Sequence, residues 1–99
     1  MKGYIKGKEE DIMSTRVALI SIIVENEEVI EELNHLLHAE RKYIIGRMGI
    51  PYREKGINII SIAIDAPQDV ISALSGKIGC LKGVSTKTAY SNVISESKE

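Results

Sequence analysis

Ninety-nine residues make one domain, 43% hydrophobic and 27% charged, with no Phe or Trp and a net charge of −1. That balance excludes nucleic-acid binding driven by phosphate neutralisation, and the longest apolar run, Val17 to Val24, is far too short to span a bilayer. The lone cysteine, Cys80, excludes an intrachain disulfide and predicts a cytoplasmic setting.

Residues 1–15 are polar and aperiodic and read as a loose arm, with Met13 an alternative translation start to Met1. They lack the apolar core of a secretory signal. The folded domain is expected over 16–94, with a frayed tail at 95–99. The first strand, Arg16 to Val24, alternates Val17, Leu19 and Ile23 with Ala18, Ile20, Ile22 and Val24. Apolar residues on both faces predict a central strand buried on both sides. Asn26 is a helix cap, with Glu27 and Glu28 favourably placed in the first turn. The helix is expected to run to about Arg41 on a stripe of Val29, Ile30, Leu33, Leu36 and Leu37.

A second strand, about Lys42 to Ile50, contains Gly46 and Gly49, which predict a bulge or a close backbone approach. Pro51 to Gly56 reads as a charged turn, and Ile57 to Asp65 as a third strand apolar on both faces. Pro67 starts the second helix, with Asp65 a candidate cap. Its stripe is Val70, Ile71, Ala73, Leu74, Ile78 and Leu81. Gly83 leads into a fourth strand, Val84 to about Val93.

Leu19-Ile20-Ser21-Ile22-Ile23-Val24 recurs forty residues later as Ile59-Ile60-Ser61-Ile62-Ala63-Ile64, each copy followed by a helix. Two such halves predict an α+β fold, a ferredoxin-like βαββαβ sandwich, with an antiparallel sheet in the order 4-1-3-2 and two helices on one face. The face left bare still carries Ile, Leu and Val, which predicts a homo-oligomer, dimer or tetramer.

His35 and His38, three apart on the first helix, have the spacing of a metal pair but lie off the apolar stripe and are expected on a solvated face. Cys80 is expected as a small buried hydrophobe. Ser75-Gly76-Lys77-Ile78-Gly79 lacks the full phosphate-loop pattern and falls within a helix. Arg47 and Arg53 can clamp a carboxylate or phosphate, and Glu25 and Asn26 sit at a strand-helix turn where a ligand can bind. The bland readings are a twisted strand, a solvated hairpin tip and simple helix capping. No nucleophile, base and acid assemble into a catalytic set, so no enzyme activity, cofactor or metal is expected.

Four segments together carry a resemblance: Val17-Ala18-Leu19-Ile20-Ser21-Ile22-Ile23-Val24-Glu25-Asn26, Ile45-Gly46-Arg47-Met48-Gly49-Ile50-Pro51-Tyr52-Arg53, Ile59-Ile60-Ser61-Ile62, and Leu74-Ser75-Gly76-Lys77-Ile78-Gly79-Cys80-Leu81-Lys82-Gly83-Val84. Over about 16–93 the chain resembles the iron-only hydrogenase system regulator family, small ACT-like proteins. The resemblance implies a regulatory module that senses a ligand, or an accessory protein that binds a maturation partner; a small enzyme is a third reading. The same plan is similar to the C-terminal domain of the nickel-responsive regulators. Residues 42–65 here hold no His or Cys, so that family's nickel site does not carry over. Its DNA-reading segment has no room before residue 16. ACT domains bind amino acids where the first strand turns into the first helix, but Glu25-Asn26-Glu27 lacks the usual glycine.

Overall fold

The computed structural model describes residues 14–96; most of the arm, both methionine starts and residues 97–99 lie outside them. The elements are β1 (Ser14–Val24), α1 (Ile30–Ala39), β2 (Ile44–Tyr52), β3 (Ile57–Ala66), α2 (Gln68–Gly79) and β4 (Val84–Glu96). The sheet is antiparallel in the order β2-β3-β1-β4, the expected 4-1-3-2 arrangement read from its other edge. The fold is the ferredoxin-like βαββαβ sandwich.

One face of the sheet forms the core. Ala18, Ile20, Ile22 and Val24 of β1 and Ile60, Ile62, Ile64 and Ala66 of β3 are buried against Leu33 and Leu37 of α1 and Ile71, Leu74 and Ile78 of α2. The ladder places Ser21 opposite Ser61 and Leu19 opposite Ala63. Each serine is the other's counterpart in the repeat, so the local two-fold axis that relates the two halves passes between them.

Several sequence expectations are corrected. β1 and β3 are central, but only their helix side is buried; Val17, Leu19, Ile23 and Ile59 face outward, where nothing among the described residues covers them. Ser14 and Thr15 extend β1, and Ser95 and Glu96 extend β4, because they pair with each other across the ladder. α1 ends at Ala39, and Arg41–Tyr43 form a tighter 3₁₀ turn before β2. β2 continues through Pro51 and Tyr52, and the turn narrows to the 3₁₀ residues Arg53–Lys55 and to Gly56, whose φ of 65° is left-handed. Pro51 is tolerated there because β2 is an edge strand.

Asp65 is a β3 residue opposite Val17, not a cap. Pro67 holds the cap position, and its carbonyl accepts from the backbone N–H of Val70 and Ile71. Ala73 is exposed on the rim of the groove between α1 and α2 rather than in the core. Cys80 is also exposed, because it is the residue that caps α2 and lies beyond its last buried position, Ile78.

Candidate functional site

The turn from β1 into α1 is held from both sides. The Asn26 side-chain oxygen accepts from the backbone N–H of Glu28 at 3.1 Å, the expected cap. The Glu25 N–H donates to the Gly83 carbonyl at 2.7 Å. Gly83 has a φ of 74°, and a side-chain carbon built there would lie 2.8 Å from the Asn26 Cβ. The glycine that lets this turn close is therefore contributed by the start of β4, not by the turn itself.

Arg53 lies in a cleft of about 310 Å³ at the end of β2, lined also by Pro51, Tyr52, Gly56, Asn58 and Glu27. Glu27 brings the β1–α1 turn to its edge. Beside it, the Tyr52 hydroxyl donates to a carboxylate oxygen of Glu54 at 2.8 Å. That bond holds the proton on the phenol and raises Tyr52 above its ordinary pKa.

Arg47 sits elsewhere. It stands opposite Ile62, on the helix side of the sheet, and its guanidinium donates to the Asn34 side-chain oxygen on α1 at 2.8 Å. Five strand residues, Met48 to Tyr52, lie between it and Arg53, a separation of about 20 Å. The cleft it lines, about 360 Å³, has Leu37 and Ile44 as its apolar residues and Asn34, His38 and Arg41 as its other polar ones. Arg41 donates to the His38 carbonyl at 2.9 Å, at the end of α1. A single chain thus divides the four expected site residues: Glu25 and Asn26 adjoin the Arg53 cleft through Glu27, and Arg47 has a cleft of its own. Asn34 and Arg41 carry no periodic or motif signal, and only the crossing of α1 over β2 brings them to Arg47.

The bulge expected near the glycines falls between Ile44 and Gly46. A side-chain carbon built at Gly46 or at Gly49 would meet nothing within 4 Å, so neither glycine is required by a close approach. Arg16 was not singled out in the sequence, yet it is tied down. It donates to the Ser91 carbonyl and the Gln68 side chain, both at 2.9 Å, and lies 4.8 Å from the centre of the Tyr90 ring. These contacts brace β4 where its register with β1 shifts. His35 and His38 are exposed and share a shallow depression with Glu31 and Asn34. Among the described residues no cluster of three or more His, Cys, Asp or Glu is placed to hold a metal, and no helix among them is long and apolar enough to cross a membrane.

The outer face of the sheet carries an extended apolar patch. Ladder register puts Val17, Leu19 and Ile23 of β1, Ile59 of β3, and Met48, Ile50 and Tyr52 of β2 on it together. They are between 39% and 60% exposed. Ser21, Ser61, Ala63 and Ala89 lie between them as a shallow trough, and Lys87 stands at the β4 edge.

Over residues 16–88 the chain matches the model of the TM1266-like family, described as iron-only hydrogenase system regulator, a role which that description gives as provisional. Among solved structures it is similar to the uncharacterized protein TM1266 from Thermotoga maritima. The two share 36% identity and a TM-score of 0.74, over 77% of this chain and 96% of that one. A formyltetrahydrofolate deformylase from Pseudomonas putida KT2440 shares the fold alone, at 13% identity and a TM-score of 0.55, over 74% of this chain and 28% of the deformylase. No curated protein sequence matches the chain.

Proposed function

The chain belongs to the TM1266-like family of iron-only hydrogenase system regulators, and from that premise we propose that it is a non-catalytic regulatory module of the cytoplasm. In this reading its copies associate through the open sheet face into dimers or tetramers and bind small ligands in two clefts, one at Arg53 with Glu25 and Asn26 adjoining it and one at Arg47.

The observation that carries the reading is the apolar outer face. Its seven large side chains amount to on the order of 600 Å² of exposed surface, the upper end of the largest patch on a typical monomer, and patches of that size are often functional. Adding the trough and rim brings it near the roughly 800 Å² per partner of a standard interface. An identical copy suits this face. Large side chains (Leu19, Ile23, Ile50, Ile59) beside small ones (Ser21, Ser61, Ala63, Ala89) on one face are the pattern that interdigitates when two sheets pack about 10 Å apart. A ligand then regulates by binding one arrangement of subunits more tightly than another; equal affinity for both would change nothing.

Native mass spectrometry of gently purified protein tests this. A dimer or tetramer is expected, carrying additional small-molecule mass. Leu19→Lys with Ile23→Lys should give a folded monomer, since both positions are already solvent-exposed in one chain. A wild-type monomer at micromolar concentration would refute self-association and shift the face to a protein partner of the hydrogenase system.

A further inference from the structure

We propose that the cleft between α1 and the β2 edge is a binding site for a phosphate-class dianion, held by Arg47 and Arg41 with His38 and Asn34 at its rim. The inference names the ligand class for the Arg47 part of the site proposed above and rests on that placement.

Three features converge. First, the cleft has two arginines and a histidine among its six lining residues and no acid, on a chain whose net charge is −1. Second, the hydrogen bond each guanidinium makes goes to a neutral oxygen, Asn34 Oδ1 for Arg47 and the His38 carbonyl for Arg41. Those bonds orient the two groups without neutralising them, and each guanidinium has five N–H donors. Third, the donors come from different elements: Arg47 from the strand, Arg41 from the 3₁₀ turn, Asn34 and His38 from the helix. A planar carboxylate matches one guanidinium fork. A tetrahedral phosphate offers oxygens in several directions and can engage two forks at once. Capping of the α1 end accounts for Arg41 alone. It does not account for Arg47, which reaches the cleft from the sheet. Leu37 and Ile44 add an apolar wall, and about 360 Å³ lies within the range of small-molecule sites, so a phosphorylated small molecule as well as free phosphate can be accommodated. Glu31 shares the adjoining depression with Asn34, His35 and His38, and Glu40 precedes Arg41 in the chain; neither lines the cleft.

The test is thermal unfolding of the full chain, titrated with inorganic phosphate, adenosine monophosphate or succinate at constant ionic strength set with chloride. If phosphate binds with a dissociation constant on the order of 1 mM, 10 mM should raise the midpoint by about 5–10 °C. The rise should disappear in Arg41→Ala/Arg47→Ala, weaken in Arg41→Lys/Arg47→Lys, and survive in Arg53→Ala. A stronger response to the nucleotide than to inorganic phosphate would place the source in a phosphorylated metabolite; equal responses would indicate the free ion. An equal rise in wild type and Arg41→Ala/Arg47→Ala would reveal general salt stabilisation and overturn the proposal. So would no response to either phosphate compound, or an equal response to succinate. Phosphate binding that leaves the native oligomer unchanged would uphold the cleft while removing phosphate as the regulatory signal, so the two readings fail separately.

Discussion

Replacing Gly83 with alanine probes the contact that closes the β1–α1 turn. Two costs add. The residue has a φ of 74°, and a non-glycine residue in the left-handed region costs about 1–2 kcal/mol. The new methyl group would also meet the Asn26 Cβ at 2.8 Å and the Asn26 backbone nitrogen at 3.4 Å. These atoms belong to a capped turn and cannot swing aside like the end of a long side chain; overpacking of this kind costs about 1–3 kcal/mol. Gly83→Ala should therefore destabilise by about 2–5 kcal/mol, a large share of the 5–15 kcal/mol typical of a domain. Gly56 supplies the control. Its φ is 65°, but a side-chain carbon there meets nothing within 4 Å, so Gly56→Ala should cost only the backbone part, about 1–2 kcal/mol. Urea unfolding at fixed protomer concentration measures both. Asn26→Gly removes the offending Cβ and, at a cap position, costs only a few tenths of a kcal/mol relative to Asn. In that background Gly83→Ala should cost no more than Gly56→Ala. Equal costs for Gly83→Ala in the wild-type and Asn26→Gly backgrounds would refute the steric argument.

Two further outcomes follow from side chains near the sites. Tyr52 should ionise above its ordinary 10.0 in a titration followed by ring proton resonances. Because its folded pKa is raised, the stabilisation is complete below about pH 10 and is lost as pH climbs through the folded value. Glu54→Gln should lower the midpoint, and an unmoved midpoint would show that the carboxylate is not the cause. Cys80, exposed at the α2 cap, should react fully with an aromatic disulfide reagent in the native protein, because access governs whether a thiol can be reached at all. A requirement for denaturant would contradict its placement.

Much of the architecture was legible in the chain because it depends on local pattern. The period-two runs around Ser21 and Ser61 specified two strands and their likeness. The stripes through Leu33 and Leu37, and through Ile71, Leu74 and Ile78, specified two helices. The likeness of the two halves, read as a split βαβ plan, then gave the strand order and the helix-covered face. Where local signals compete, the tertiary pairing decides. Asp65 has the chemistry of a cap, but pairing with Val17 keeps it in the ladder. Cys80 has the habits of a buried residue, but α2 ends before it can turn inward.

The candidate site was less legible for a different reason. Arg47 and Arg53 stood out as charges in an unusual segment, but their surroundings come from elsewhere in the chain. Sequence pattern by itself determined the elements, the repeat and an apolar face that a single chain leaves uncovered, because burial periodicity is written in neighbouring residues. Only the tertiary structure decided that Gly83 closes the turn at Asn26, that Arg47 and Arg53 serve separate clefts, and that Asn34 and Arg41 join Arg47. Those contacts link residues distant in sequence or on different elements, and their geometry follows from how the helices cross the sheet, which no local spacing encodes.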